Sequence, residues 1–359
     1  MKKVFSIAVI FMFIFLFAGC GSTAGSSEKE AGASPATEQP PDPSAISDSI
    51  SPEDLKASIN LDMKPNEAGK VMVLMYHNIG NEESEWVRTP SNFTNDLNTL
   101  YTKGYRPISL TDYVTGNIST EQGLTPIVLT FDDGNLNNFK YLEDGSIDSV
   151  SAIGLLLDFH QKHPDFPLEA TFFIDGDMPF KQSGLASQKL RFIVDHGMDI
   201  GNHTRDHVSL KTASSDTIRE QIGSQAQFLK ILLGRDDYDV NTLALPYGER
   251  PSDPSLAAYL ISGSHAGTVY NNIAVMNVGW NPGRSPYDTR FDHSSIPRIR
   301  ASEMKVDNVG LYDYIDYFDK NPDQRFISDG ISQIITVPEE NMEWLSSIDG
   351  KEFYTYRPR

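Results

Sequence analysis

The feature that most constrains this chain is an apolar run that ends in two adjacent acidic residues. Residues 126–129, Pro-Ile-Val-Leu, are followed by residues 130–134, Thr-Phe-Asp-Asp-Gly. A short apolar run of this kind predicts a buried strand. Two carboxylates at its end repel each other unless a cation or a shared proton relieves the charge. The sequence therefore predicts a positive partner at this strand end, although Asp-Asp-Gly is also typical of a solvated turn.

A second motif, residues 201–207, supplies two histidines four residues apart: Gly-Asn-His-Thr-Arg-Asp-His. We expect His203 and His207 to lie on one face of a helical turn, where both can bind one metal ion. Two histidines and one Asp make a three-ligand set that leaves a coordination position open for water, as hydrolytic zinc requires. Asp206 is expected to begin a helix and Asn202 to stabilise the turn.

These two motifs and residues 245–248, Leu-Pro-Tyr-Gly, resemble in order the first three motifs of the polysaccharide deacetylase family. This is the NodB-homology family, also called carbohydrate esterase family four, and the resemblance covers roughly residues 71–299. It implies an α/β fold, a distorted (β/α)7-type barrel, and one divalent metal ion, with zinc expected. The implied activity is removal of N-acetyl groups from an extracellular N-acetylglucosamine-containing polysaccharide, either peptidoglycan or a biofilm glycan.

The resemblance also implies a role for each motif residue. Asp133, His203 and His207 would hold the metal, and Asp132 would remain off it as the general base. The backbone N–H of Tyr247 would support the oxyanion that forms when water attacks the acetamide carbonyl. Adjacent residues at a strand end point in different directions, so one carboxylate can bind metal while the other faces the water.

The third motif departs from the family pattern at Ala244, where an arginine that orients the base is usual. Either Asp132 is held differently or another arginine takes this role, and Arg298 in residues 296–300, Ile-Pro-Arg-Ile-Arg, is the candidate.

The late Leu-x-x-His motif of the family is also missing, and His293 lies in a polar stretch that does not match it. Some deacetylases acting on biofilm poly-N-acetylglucosamine instead take their acid from an early Tyr-His pair after the first strand, and Tyr76-His77 resembles that arrangement. We therefore expect His77 to be the general acid. The alternative is a core or capping role for His77, with the acid sought first at His293.

Hydrophobic periodicity predicts strands that alternate with helices, and hence a parallel sheet with the site at the strand ends. The expected strands are 71–76, 105–110, 126–131, 170–174, 198–201 and 242–245, and the expected helices lie near 93–104, 150–163, 190–196 and 218–234.

The first 20 residues predict a lipoprotein signal peptide. A positive start is followed by the apolar run 4–18 and by Ala-Gly-Cys, which resembles a bacterial lipobox. Lipidation of Cys20 would anchor the protein to the cell membrane outside the cytoplasm; ordinary cleavage and release is the alternative. Residues 21–65, rich in Ser, Ala, Pro and acidic residues, are expected to form a disordered tether, and residues 66–359 the catalytic domain.

Charge and motif content exclude some functions and leave others open. The formal net charge is -19 and there is no block of Lys and Arg, which argues against nucleic acid as a partner. Two alternatives to the deacetylase are a degenerate domain that binds cell-surface glycans and a cell-wall amidase or peptidase. No His-Glu-x-x-His peptidase motif is present. Trp280 is expected either to stack on sugar or to pack in the core.

Overall fold

A computed structural model describes residues 51–302 and 309–358 of the chain. The predicted signal peptide, the Cys20 lipidation site and residues 21–50 of the predicted tether lie outside the described residues. Among the helices of the described part, none is both long and apolar enough to cross a membrane.

The expected alternation of strands and helices is present, with extra short elements. The helices are α1 (Pro52–Ser58), α2 (Pro90–Thr102), α3 (Leu110–Thr115), α4 (Ala152–Lys162), α5 (Ala186–Asp195), α6 (Ser215–Leu233), α7 (Ala258–Ile261) and α8 (Leu311–Lys320). The strands are β1 (Met72–Tyr76), β2 (Asn78–Ile79), β3 (Val87–Arg88), β4 (Tyr105–Pro107), β5 (Thr125–Phe131), β6 (Thr171–Ile174), β7 (Asp199–Asn202), β8 (Thr242–Ala244), β9 (Ser262–His265), β10 (Thr268–Asn271), β11 (Ala274–Met276), β12 (Ile299–Arg300), β13 (Ile334–Pro338) and β14 (Glu352–Tyr356).

One parallel sheet runs through the domain in the order β11–β8–β7–β6–β5–β1–β12, and β4 pairs with the first residues of β5. Its central register aligns Met72 with Ile127 and Tyr76 with Phe131. A parallel bridge between Met276 and Ile296 joins the β11 edge to the segment that leads into β12. The sheet therefore curls into a barrel, and the expected distorted (β/α)7-type fold is confirmed.

Side chains alternate between the inside and the outside of this barrel. Val73 and Val128 belong to a cluster formed by inward-facing residues of several strands, whereas Leu74 and Leu129 pack outward against α2 and neighbouring helices. Both faces of β1 and β5 are therefore buried, which explains why their sequences are almost continuously apolar. Because the strands are parallel, their carboxyl ends meet on one side, and the motif residues that follow β1, β5, β7 and β8 converge there.

The first residues that the structure describes differ from the sequence-based prediction, which assigned residues 51–65 to the tether. Ser51 caps α1 by accepting a hydrogen bond from the Asp54 N–H, and Lys56 pairs with Glu352 at 2.7 Å. Ile59 is buried. The polar composition of this stretch concealed a capped first turn, Ser-Pro-Glu-Asp, that favours a helix.

Candidate active site

The two carboxylates at the end of β5 face different surroundings. Asp132 is buried. Asp133 has φ of 70° and leaves about 30% of its side chain exposed. Positive φ is uncommon outside glycine, and here it turns the chain sharply between the two side chains. The expectation that the two carboxylates point in different directions agrees with this geometry.

Arg298 binds the buried Asp132 with both ends of its guanidinium group. Nη1 donates to Oδ1 and Nη2 to Oδ2, each at 2.7 Å. Nη1 also donates to Thr130 Oγ1 at 3.1 Å, and Nε donates to the Asn277 carbonyl at 2.9 Å. Burial alone would raise the pKa of Asp132, but Arg298, assisted by His203, holds that pKa below its ordinary value. The positive partner that the sequence requires is therefore Arg298, at the position expected of a base-orienting arginine.

Asp133, His203 and His207 form a cluster whose candidate ligand atoms all lie within 4.8 Å of one another. Asp133 Oδ1 lies 3.4 Å from Nε2 of each histidine. This oxygen is buried and accepts no hydrogen bond from any described residue. Burial would raise the pKa of Asp133, but the two histidines hold it well below its ordinary value.

The cluster fits a divalent metal ion. His203 Nδ1 lies 2.9 Å from the Ala244 carbonyl, so Nδ1 carries the proton and Nε2 is left as a free ligand atom. Two ligands at about 2.1 Å from a tetrahedral ion are themselves about 3.4 Å apart, which is the spacing found between Asp133 and each histidine. Two imidazoles and one carboxylate are a ligand set that zinc commonly uses.

The loop that carries both histidines is not helical, so the predicted helical turn is wrong. Thr204 and His207 both have positive φ, 65° and 49°. The Thr204 N–H donates to Asn202 Oδ1 at 2.9 Å, as expected of a turn-stabilising Asn. Asp206 does not begin a helix; its N–H donates to Gln221 Oε1, and its carboxylate accepts from Gln221 Nε2. These side chains take the backbone donors that a helix would use.

His77 directly follows β1 and lies near Asp132. Its Nε2 is 3.9 Å from Asp132 Oδ2. Burial lowers the pKa of His77, and the nearby Asp132 and Asp133 offset part of that effect. His293 does not line the site; it is exposed, and its Nδ1 lies 3.1 Å from the Ile273 carbonyl. Of the two candidate acids, the structure brings only His77 to the base.

These side chains line an open cavity of about 470 Å³. Its wall consists of His77, Trp86, Asp132, Asp133, His203, His207, Leu245, Tyr247, Val278 and Arg300. Tyr247 is 64% exposed and has φ of 59°, and its hydroxyl lies 3.3 Å from His207 Nδ1. Sequence reasoning missed Trp86 and Arg300, because Trp86 belongs to no motif and Arg300 was noted only as a neighbour of Arg298. Trp280 is 48% exposed and outside the cavity wall, so its predicted core packing is wrong.

Comparison with known proteins agrees with this geometry. Residues 120–260 match the family model described as polysaccharide deacetylase. YxkH of Bacillus subtilis (strain 168), a polysaccharide deacetylase by name, is 24% identical over 258 residues, which are 69% of this chain and 82% of that protein. The crystal structure of BC0361, a polysaccharide deacetylase from Bacillus cereus, superposes with a TM-score of 0.50 at 19% identity over 69% of this chain and 68% of that one.

A further similar structure is the Streptococcus pyogenes deacetylase PplD in complex with acetate. It has a TM-score of 0.49 and 19% identity, and the match covers 69% of this chain and 97% of PplD. The family match spans the two motif loops and the third motif, and BC0361 shares the fold. Residues 120–260 are therefore similar to a polysaccharide deacetylase domain, and the barrel is similar in fold to BC0361.

Proposed function

We propose that this protein is a metal-dependent hydrolase that removes N-acetyl groups from an extracellular N-acetylglucosamine-containing polysaccharide, such as peptidoglycan or a biofilm glycan. The observation that supports it most is the pair of unlike carboxylates at the end of β5. Arg298 holds Asp132 in the ionised form, while Asp133 faces two histidine ligand atoms 3.4 Å away. One cavity thus combines a base with a separate metal-binding cluster.

The residues of the cavity divide the reaction among them. A divalent ion held by Asp133, His203 and His207 would supply Lewis-acid chemistry and ease deprotonation of water. Asp132 Oδ2, which faces His77 and His203 at 3.9 Å, accepts the proton of the attacking water. The water oxygen bonds to the acetamide carbon, and the Tyr247 N–H stabilises the negative carbonyl oxygen.

His77 completes the reaction in this proposal. Cleavage of the C–N bond expels an amine, which is a poor leaving group unless it is protonated. His77 Nε2 donates that proton while the carbonyl re-forms, so the products are acetate and the free amino sugar. His77→Ala should lower turnover of acetamide substrates and spare an activated ester, whose leaving group needs no proton. Equal losses on amide and ester would make His77 structural only.

Acetate release tests the function directly. The wild-type protein should release acetate from at least one of four substrates: peptidoglycan, poly-N-acetylglucosamine, chitin oligomers or an O-acetyl ester. Chelation should abolish release, and readdition of metal should restore it. His203→Ala should lose both metal and activity, whereas His293→Ala, outside the cavity, should keep both. A His203→Ala protein with full metal content and activity would contradict the site, and glycan binding without acetate release would favour the degenerate domain.

We also propose that the protein is anchored outside the cytoplasm through Cys20. The support is the sequence alone: a positive start, the apolar run 4–18, and Ala-Gly before the only cysteine of the chain. In a bacterial host, radiolabelled fatty acid should be incorporated into the wild type and not into Cys20→Ala. Equal labelling of the two proteins would rule out the anchor.

A further inference from the structure

Trp86 lines the catalytic cavity and contacts the proposed acid. The centroids of the Trp86 and His77 rings lie 4.5 Å apart at an angle of 56°. The Arg300 guanidinium carbon lies 4.2 Å from the centre of the indole ring. About 40% of the Trp86 residue surface remains exposed. The indole therefore lines the cavity and contacts both the His77 imidazole and the Arg300 guanidinium group.

The backbone at Trp86 is held firmly. The N–H of Asn78, the residue that follows His77, donates a hydrogen bond to the Trp86 carbonyl at 3.1 Å. This bond holds the Trp86 backbone close to that of His77. Arg88, which lies two residues after Trp86 on β3, is buried and donates to both oxygens of Asp96 at 2.8 and 2.6 Å. It also donates to Glu83 at 2.6 Å. A loop with these contacts presents Trp86 in one orientation.

Arg300 in turn is tied to the barrel. It lies on β12, where it pairs with Met75 of β1, and its side chain is only 11% exposed. Nη1 lies 3.2 Å from Glu85 Oε1. The guanidinium group is attracted to the face of the indole ring and helps to hold it in place. Glu85, Arg300, Trp86 and His77 form a continuous set of contacts that we call the Trp86 column.

The imidazole of His77 depends on this column because little else orients it. Its nearest charged neighbour, Asp132 Oδ2, is 3.9 Å away, beyond hydrogen-bond distance. Among the residues that the structure describes, none makes a hydrogen bond to the His77 ring; the Asn138 amide binds only the His77 carbonyl, at 2.6 Å. Packing against a ring that is itself fixed is then what limits rotation of the imidazole.

We propose that Trp86 is a positioning residue for His77, held in place by Arg300, and not primarily a sugar-binding surface. The inference rests on the proposed role of His77 as general acid. It follows that Trp86 acts on the step in which the amine leaves. Misplacing a proton donor by about 1 Å can cost up to about 10²-fold in rate, so the effect should be seen in kcat.

The test is a double-mutant cycle on an acetamide and an activated ester substrate. Trp86→Ala should lower kcat for the acetamide by about 10-fold to 10²-fold, with KM nearly unchanged and the ester largely spared. Trp86→Phe, which keeps an aromatic ring, should recover most of the loss. Added to His77→Ala, Trp86→Ala should cost nothing further, because the group it positions is already absent. Trp344→Ala, which removes an exposed tryptophan outside the cavity wall, should leave kcat unchanged.

The opposite pattern would overturn the proposal. If Trp86→Ala mainly raises KM, and its loss adds in full to that of His77→Ala, Trp86 binds sugar and does not position the acid. If Trp86→Phe is as impaired as Trp86→Ala while both are folded, an aromatic contact with His77 is not what matters.

A measurement without turnover separates this inference from the proposed function. In NMR spectra of the metal-free protein, the ring current of the indole should shift the resonances of the His77 ring protons. Trp86→Ala should remove that shift, Arg300→Met should reduce it, and Trp344→Ala should leave it. A wild type that releases no acetate from any substrate would refute the function; unchanged His77 resonances in Trp86→Ala would refute the positioning.

Discussion

Carboxyl groups are buried at both ends of the barrel, but their hydrogen-bond donors differ: a cation at one end and neutral groups at the other. At the carboxyl end of the strands, Asp132 receives two hydrogen bonds from the Arg298 guanidinium. Beyond the amino end of β1, Glu67 and Asp329 are equally buried. The bonds to Glu67 come from neutral donors, the Asp329 N–H at 3.2 Å and the Ser328 hydroxyl at 3.5 Å.

The pKa values of these buried carboxyl groups differ because their partners differ, although all three groups are buried. Arg298 holds the pKa of Asp132 below its ordinary value against the effect of burial. Burial and the neighbouring Asp329 raise the pKa of Glu67 well above its ordinary value, and burial raises the pKa of Asp329 to about 6. The carboxylate that we propose as the proton acceptor is thus kept charged, while the pair at the other end favours the neutral form.

Asp132→Asn should give the largest effect. The substitution leaves the buried Arg298 without its counter-charge, and a guanidinium cannot lose its proton to compensate. We expect a loss of about 4–5 kcal/mol in the free energy of unfolding. Activity should fall by a factor on the order of 10² or more, with metal content retained. Urea denaturation and metal analysis measure both, and an Asn variant as stable as the wild type would mean that the buried pair contributes nothing.

Arg298→Met should be less costly, and its cost should depend on pH. Without the arginine, burial raises the pKa of Asp132, and the carboxyl group can take a proton. We expect a loss of about 3 kcal/mol at pH 7 that shrinks as the pH falls towards 5. Arg357→Met breaks an exposed ion pair with Glu339 and should leave stability nearly unchanged. A pH-independent loss in Arg298→Met would contradict this account.

Glu67→Gln should have the opposite sign. Because the folded pKa of Glu67 is raised, the folded chain keeps a proton that the unfolded chain releases, and stability is lost as the pH rises through that window. Gln removes the titration, so we expect little change at pH 4 and a gain that grows as the pH rises towards 8. Destabilisation by Glu67→Gln at pH 8 would show that the charged form is the native one.

Asp199→Asn should repeat that sign on a smaller scale. Asp199 begins β7, and burial raises its pKa to about 6. The Tyr238 hydroxyl lies 3.4 Å from Oδ1, and an amide keeps that acceptor. A shift of about two pKa units corresponds to at most about 3 kcal/mol. Because Asp199 is only partly buried, we expect a gain of about 1 kcal/mol at pH 8 and none at pH 4. Thermal unfolding at the two pH values measures it, and a gain of equal size at both would assign the effect to something other than ionisation.

The sequence was most informative where chemistry and strand pattern coincide. The apolar run before Asp132 and Asp133 predicted both the strand and its need for a cation. It could name Arg298 only as a candidate, because the two residues are 166 positions apart and meet only when the barrel closes. The helical turn at His203 was wrong because Gln221, on a later helix, takes the backbone N–H groups. No sequence pattern indicated Trp86. Its proposed role depends on contacts with His77 and Arg300, which are distant in sequence and meet only in the folded chain.

The short segment 296–300 has a consequence for incomplete chains. It bridges β11 at Met276 and pairs with β1 at Leu74, and it carries both Arg298 and Arg300. The match to the family model ends at residue 260. A nascent or proteolysed chain that stops before this segment contains Asp133, His203 and His207 but lacks the cations that contact Asp132 and Trp86. The catalytic arrangement proposed above is therefore complete only once synthesis has passed residue 300.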